Sequence, residues 1–203
     1  MFEFDPLIGE MTRRIKAADR KPLVALRLQL QSALPAPVLT QSIEALTYYI
    51  DSCPQTLRDF ASAAGASDSS SLVQVAAGLY QYLLEPHDLL PDASNGVLGF
   101  LDDAWLIHNV AYRCVESQLL GLQQFSVDWN RIAMADQFAL HLFPPQVKAV
   151  LDGIVAQYSN LVTHQMRPFE PADTEDYSTH GKTIDDYYYT IGGTSYLSTR
   201  PIT

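Results

Sequence analysis

Residues 96–116 read GVLGFLDDAWLIHNVAYRCVE, and this stretch decides the fold of the chain. One side of it carries an apolar stripe with a single histidine, at steps of three and four residues: Val97, Leu101, Ala104, His108, Ala111 and Val115. The other side is polar and consists of Asp102, Asn109, Arg113 and Glu116. This spacing is typical of an amphipathic α-helix. We therefore predict a helix with one buried and one solvated side, which follows a turn at Asn95-Gly96.

The sequence before this helix repeats the same pattern. Pro22 favours the first turn of a helix, and apolar residues follow it at helical spacing as far as Leu34. A second stripe begins at Leu39 and is closed by Pro54, which opens a third, shorter helix. Gly65 stands where a helix end favours a left-handed residue. Three helices are therefore predicted before residue 66.

Helical signals continue through the rest of the chain. The run Asp-Ser-Ser-Ser at 68–71 offers N-caps for a helix that must stop before Pro86. Ser126 can cap a helix from about residue 127 to 142, and Pro144-Pro145 begins the last one. No stretch shows the sustained alternation of apolar and polar residues that a strand requires.

These signals define the predicted domain organisation. The chain has 203 residues, of which 47% are hydrophobic, so it is long enough to bury one substantial core. We predict an all-α fold, in which residues 1–166 form a single bundle of six to eight helices. Residues 167–203 are predicted to be an irregular tail.

Charge restricts the partners that the chain can bind. Its 23 acidic and 13 basic residues give a net charge of −10, which repels phosphate backbones and argues against nucleic acid. Six basic residues lie in the first 27 positions, whereas residues 28–112 hold nine acids and only Arg58. Either these charges belong to ordinary solvated helix faces, or the acidic part of the surface attracts a basic protein partner while the basic N-terminal helix attracts an acidic one. Homo-oligomerisation stays open.

Composition also bears on the compartment. Cys53 and Cys114 lie far apart without a metal or redox spacing, so we expect free core thiols in a reducing cytoplasm. No window approaches the roughly 20 apolar residues of a membrane span, and the first residues lack the layout of a signal peptide. We expect a cytoplasmic protein without a membrane span. The abundance of Leu, Ala and Gln with little Lys leans towards a bacterial source.

A motif spans the end of the helix before Pro86 and the start of the helix that follows Asn95-Gly96. Residues 77–92 read AGLYQYLLEPHDLLPD, and the turn in it contains Pro86, Asp88, Pro91 and Asp92. The next helix then starts with Gly99, Phe100, Leu101, Asp102 and Asp103. This order resembles the YkvA-like domain, a small bacterial family of unknown function, over about residues 72–115. The resemblance implies a helical hairpin, and it differs at His87, where the family usually has a small or apolar residue.

Two interpretations of the carboxylates in this motif stay open. Asp88, Asp92, Asp102 and Asp103 can each accept hydrogen bonds from the backbone N–H groups at a helix start, which is ordinary capping chemistry. Alternatively they converge with His87 into an oxygen-rich site suited to Mg²⁺, Mn²⁺ or Ca²⁺. The second interpretation makes the protein a metal-dependent hydrolase.

Other catalytic motifs are absent from the sequence. It contains no phosphate-binding loop, nucleophile elbow, zinc-protease helix or dinucleotide fingerprint. The pair His87-Asp88 is similar to the metal-binding pair of HD-type phosphohydrolases, but the upstream histidine of that family is missing. His108 lies on the apolar stripe, so we predict a hydrogen-bonded core histidine there.

The tail is the last unusual segment. It combines an acidic run with aromatic residues that we propose as partner-binding: Tyr187, Tyr188, Tyr189 and Tyr196. Low hydrophobicity and like charges predict low intrinsic order. For function we favour a non-enzymatic bacterial protein-interaction module, such as a regulator, an adaptor or a toxin-neutralising immunity protein. The alternative is the metal-dependent hydrolase.

Overall fold

The computed structural model describes residues 4–84, 89, 90 and 95–163, with side chains up to residue 158. All the regular structure in these ranges is helical, which confirms the predicted all-α bundle of six to eight helices. The described residues form seven α-helices: α1 (Phe4–Ala17), α2 (Lys21–Leu30), α3 (Ala36–Gly65), α4 (Ser70–Leu84), α5 (Leu101–Glu116), α6 (Trp129–Leu140) and α7 (Pro145–Thr163). Short 3₁₀ turns, Gly96–Phe100 and Leu122–Gln124, precede α5 and α6.

The helices share one apolar core. Each of them contributes at least one buried side chain, for example Ile8, Leu23, Leu46, Leu79, Leu106, Ile132 and Leu151. The predicted boundary between residues 166 and 167 lies outside the described residues. In the described ranges, no helix combines the length and the apolar character that crossing a membrane requires.

Helix α5 lies inside the bundle and packs against α3, α4, α6 and α7. The predicted solvated side of this helix is wrong at two positions, because Asp102 and Asn109 are buried. Both can be buried because they make hydrogen bonds inside the bundle. Arg113 and Glu116, further along the same side, are partly exposed and form an ion pair with 2.7 Å between Nη1 and Oε2. The helix is therefore enclosed over most of its length.

Helix α3 is one continuous helix of 30 residues, and the predicted break at Pro54 is wrong. A proline inside a helix removes one N–H donor and costs about 3 kcal/mol or more. The neighbouring side chains of Ile50 and Leu57 are fully buried, and Pro54 itself is buried. Full burial of a side chain as large as leucine contributes about 1.5–3 kcal/mol, so the packing of this turn outweighs the local cost of the proline.

Helix α1 carries one apolar stripe at steps of three and four residues, and its buried residues are Phe4, Ile8, Met11 and Ile15. This stripe packs against α3, and the ring of Phe4 also meets the ring of Tyr80 edge-on, with 5.0 Å between centroids. The helices predicted from the sequence begin at Pro22, so α1 was missed, although its apolar residues have the same three- and four-residue spacing that identified the other helices.

Side-chain caps precede α4 and α6, and the second of them differs from the prediction. Ser69 accepts a hydrogen bond from the N–H of Leu72, 3.3 Å away, as the serine run before α4 predicts. The cap of α6 is Asp128, whose Oδ1 accepts hydrogen bonds from the N–H groups of Asn130 and Arg131, at 3.0 and 3.2 Å. The prediction that Ser126 caps this helix is therefore wrong. Ser126 instead donates through its N–H and hydroxyl to Asp59, at 2.8 and 2.7 Å.

The turn before α5 depends on a glycine. Gly96 has a φ of +55°, and a Cβ placed there would lie 2.5 Å from the carbonyl oxygen of Asp19. The same carbonyl accepts a hydrogen bond of 2.9 Å from the N–H of Val97. Only glycine allows this close approach without strain, so Gly96 links the start of α5 to the junction between α1 and α2.

We predict that Gly96→Ala lowers the free energy of unfolding by about 1–3 kcal/mol, because the variant combines a left-handed backbone with a steric overlap. Urea denaturation followed by circular dichroism measures this change. Gly153→Ala is the matched control, since a Cβ at Gly153 in α7 meets nothing within 4 Å. That variant should be as stable as wild type or more stable by up to about 1 kcal/mol. Equal midpoints for the two variants would contradict the assignment.

Candidate functional site

Asp102 is the motif residue whose role the structure defines most clearly. Its Oδ2 accepts hydrogen bonds from the backbone N–H groups of Leu89 and Leu90, at 3.1 and 3.2 Å. The carboxylate is 1% exposed and lies in the first turn of α5. A buried acceptor with two N–H donors fixes a turn. Asp102 therefore ties the segment after α4 to the start of α5, rather than capping its own helix.

The other motif residues are described only in part. Gly99 is buried in the 3₁₀ turn before α5, and Asp103 is half-buried in the first turn of that helix. The turn residues Pro86, His87, Asp88, Pro91 and Asp92 lie outside the described residues, as do Tyr187, Tyr188, Tyr189 and Tyr196 of the tail. Over the described ranges, no three His, Cys, Asp or Glu side chains lie close enough to hold a metal ion. The metal site that joins Asp102 and Asp103 to the turn stays a prediction.

A second group of polar side chains lies inside the bundle, where α3, α5 and α6 meet. The hydroxyl of Tyr49 donates to Oδ1 of Asp136 across 2.6 Å. The Nδ2 of Asn109 donates to the same oxygen and to the carbonyl of Trp105, both at 2.9 Å. We call Tyr49, His108, Asn109 and Asp136 the interhelical polar cluster. All four residues are buried, and Asp136 is only 2% exposed.

His108 completes this cluster and confirms the prediction of a hydrogen-bonded core histidine. Its Nε2 lies 2.9 Å from the carbonyl oxygen of Tyr49. A carbonyl only accepts, so Nε2 carries the proton. Burial lowers the pKa of His108 to about 4, although the bond to the carbonyl of Tyr49 opposes this shift. The ring is therefore neutral at pH 7, and it lies 4.5 Å from the ring of Tyr49, centroid to centroid.

The chemistry open to the interhelical polar cluster is set by its burial. A neutral imidazole, a phenol and a carboxylate are the groups of acid–base catalysis, but such groups must reach a substrate. Here they are directed at one another between three helices and have almost no exposed surface. The arrangement fixes how α3, α5 and α6 pack, because the hydrogen-bonded side chains of Tyr49, Asn109 and Asp136 come from these three helices.

Tyr49 and Asp136 were missed by the sequence analysis. The signal for Asp136 is its position, since it follows Ile132 by four residues and precedes Ala139 by three, on the buried stripe of α6. A carboxylate on an apolar stripe requires hydrogen-bond donors from another helix. Tyr49 offers no comparable signal, because a tyrosine on an apolar stripe is ordinary.

The two cysteines confirm the expected core thiols. Both are free and buried. Burial raises the pKa of the Cys114 thiol to about 12, and the pKa of Cys53 lies well above its usual value through burial and the nearby charges of Asp103 and Asp51. A protonated thiol is a poor nucleophile and a poor metal ligand. Neither cysteine therefore carries chemistry at neutral pH.

One surface of the bundle differs from the rest. Helix α2 packs against α3 and the Gly96–Phe100 turn, and its only buried residue is Leu23. Val24 and Leu28, one turn apart on the same face, are each 59% exposed. The side chain of Lys21 is 91% exposed, and its Nζ lies 3.9 Å from Asp19. We call Lys21, Val24, Arg27 and Leu28 the outer face of α2.

Comparison of the chain with known protein families, curated proteins and solved structures found no significant match. The resemblance of residues 72–115 to the YkvA-like domain therefore stays a prediction that rests on the motif residues themselves.

We predict that Asp102→Ala lowers the free energy of unfolding by about 1–3 kcal/mol, because two partly buried N–H groups lose their acceptor. Asp102→Asn should be milder, since the amide oxygen can still accept. Urea denaturation of both variants measures the difference, with Glu44→Ala on the exposed side of α3 as the control. An Asp102→Ala protein with the wild-type midpoint would refute the turn-fixing role.

We predict that His108 makes the stability depend on pH. The pKa of about 4 in the folded state lies below the ordinary value, so the unfolded chain binds a proton that the folded protein excludes as the pH falls. Between about pH 7.5 and pH 5.5, this linkage should lower the free energy of unfolding by about 1 kcal/mol. The effect measured by urea denaturation should be absent in His108→Gln. His141→Gln, at the exposed end of α6, should keep the wild-type slope, and equal slopes for all three proteins would refute the linkage.

Proposed function

We propose that this protein is a non-enzymatic protein-interaction module that binds an acidic partner segment with apolar side chains through the outer face of α2. The observation that carries this proposal is the exposure of Val24 and Leu28 on one face of a helix. Within the described residues, no other helix exposes two large apolar side chains one turn apart.

The apolar part of this face supplies binding free energy. Full burial of a valine or leucine side chain contributes about 1.5–3 kcal/mol, and more than half of each of these side chains is still in contact with water. Covering both therefore contributes about 2 kcal/mol in total. Protein interfaces combine an apolar centre with a polar rim, and the apolar pair beside Lys21 and Arg27 has this composition on a small scale.

The charge of α2 indicates the sign of the partner. The helix carries Lys21 and Arg27 and has no acidic residue. Lys21 is nearly fully solvated, and Arg27 Nη2 lies 3.4 Å from the hydroxyl of Thr40, so both cations remain available to an incoming anion. Electrostatic attraction of this kind mainly raises the rate of association. The proposed partner thus differs from the basic partner that the charge of the whole chain suggested, because the exposed apolar pair lies on the basic helix.

The remainder of the molecule acts as a scaffold in this proposal. The bonds from Asp102 to Leu89 and Leu90, and those of the interhelical polar cluster, hold the packing around α5. We assign the same structural role to the motif that resembles the YkvA-like domain. A regulator, an adaptor or an immunity protein of a bacterial cytoplasm would each use such a scaffold. The hydrolase alternative is less well supported, because Oδ2 of Asp102 is already engaged by two N–H groups.

We predict that Leu28→Glu reduces capture of the partner at least tenfold, since it removes apolar area and adds a charge of the same sign as the partner. Chemical cross-linking in the source cells, followed by quantitative mass spectrometry, compares this variant with wild type. Met134→Glu is the matched control, because Met134 is a comparably exposed apolar residue on α6.

The captured protein must then be identified and purified. Binding of the purified pair should weaken as salt is raised and should be lost with Leu28→Glu but retained with Met134→Glu. If no captured protein distinguishes the two variants, while both unfold at the wild-type urea concentration, the proposed function is wrong.

A further inference from the structure

The chain contains a segment whose chemistry is complementary to the outer face of α2. Residues 170–203 hold six acidic residues against Lys182 and Arg200. After the acidic pair Asp185-Asp186, this segment carries a cluster of apolar and aromatic side chains: Tyr187, Tyr188, Tyr189, Ile191, Tyr196 and Leu197. Tyrosine supplies a large contact area with a polar end, which suits an exposed helical face. The segment therefore combines the two properties that this face requires, apolar area and negative charge.

A second copy of the chain is a poorer occupant of this face. In a two-fold dimer through α2, the same surface would meet itself. Lys21 and Arg27 would then lie near their own copies, and like charges across an interface oppose binding. An acidic segment meets no such repulsion.

The stretch of chain after the last helix is long enough for the acidic, tyrosine-rich segment to reach α2, wherever that helix ends on the bundle. The end of α7, at Thr163, is 24 residues before Tyr187. A stretch of that length can span up to about 80 Å. A globular unit of this size has a radius of gyration of roughly 15 Å, so its far side is within reach. Because both groups belong to one chain, the effective concentration is on the order of millimolar, and a weak contact is sufficient.

From these observations we infer that the segment 185–197 docks onto the outer face of α2 and covers it until an acidic partner displaces the segment. The apolar and aromatic side chains lie against Val24 and Leu28, and the acidic pair faces Lys21 and Arg27. The regulatory part of this inference rests on the proposed function. The docking itself does not.

Photocross-linking in the full-length chain tests the docking. Leu28 is replaced by the photoreactive residue p-benzoylphenylalanine, and a second protein carries the same residue at Met134 as the control. After irradiation, mass spectrometry of the digested monomer should find links from position 28 to residues 183–200. Position 134 should give none. The inference would be overturned if position 28 formed cross-links only to a second molecule of the protein. It would also be overturned if positions 28 and 134 gave equal yields of cross-links to residues 183–200.

Charge reversal in the tail provides a second measurement. Asp185→Lys with Asp186→Lys should lower the yield of the link from position 28 by about fivefold or more, because the attraction to the basic helix is lost. Glu175→Lys with Asp176→Lys makes the same change in net charge outside the docking segment and should lower the yield less. Equal effects of the two pairs would overturn the assignment of residues 185–197.

The two proposals fail in different ways. If position 28 gives no link to the tail but Leu28→Glu still loses the partner, the docking is wrong and the proposed function stands. If the link between position 28 and the tail forms but Leu28→Glu captures the same proteins as wild type, the proposed function is wrong and the docking stands. If both hold, replacing Tyr187, Tyr188 and Tyr189 by serine should increase partner capture, and unchanged capture would overturn the regulatory part.

Discussion

The carboxylate of Asp136 is the group on which the packing of this bundle depends. A buried acidic side chain costs several kcal/mol unless donors reach it, and here Tyr49 on α3 and Asn109 on α5 both donate to Asp136. Helix α6 can therefore adopt only a rotation and an axial position that bring Asp136 to both donors. Apolar contacts alone would tolerate small shifts between these helices. The interhelical polar cluster thus selects one packing among several that would bury similar area.

The start of α5 is held in a comparable way by backbone groups. Asp102 accepts from the N–H groups of Leu89 and Leu90, while the N–H of Val97 donates to the carbonyl of Asp19. The guanidinium of Arg14 also lies over the ring of Phe100, 5.3 Å from its centroid. These contacts join the turn before α5 to α1 and to the segment after α4. A motif that looks like a carboxylate site in the sequence acts here as a junction between helices, as far as its described residues extend.

The sequence was sufficient for the fold class and insufficient for every helix boundary and for the polar contacts between helices. Spacing of apolar residues identifies a helix because burial repeats every three or four residues, which is why the fold class was predicted correctly. Pro54 was misread because its local cost is visible in the sequence, whereas the packing of Ile50 and Leu57 against other helices is not. Asp102 and Asn109 were placed in solvent because their hydrogen-bond partners are distant in the chain or belong to the backbone. Such partners become known only when the helices are assembled.

Helix α2 contrasts with the rest of the bundle in how little of it is used for folding. Its inner side consists of the buried Leu23 and the partly buried Leu26 and Leu30, which pack against the core, whereas its outer face takes no part in that packing. The remaining helices already supply a continuous core, so Val24 and Leu28 are not needed to complete it. Exposed apolar side chains contribute nothing to stability and favour association with whatever can cover them. Together with the cations of Lys21 and Arg27, they give α2 a basic, apolar outer face, which is the combination that an acidic segment with apolar side chains would complement, whether that segment belongs to a partner or to the chain itself.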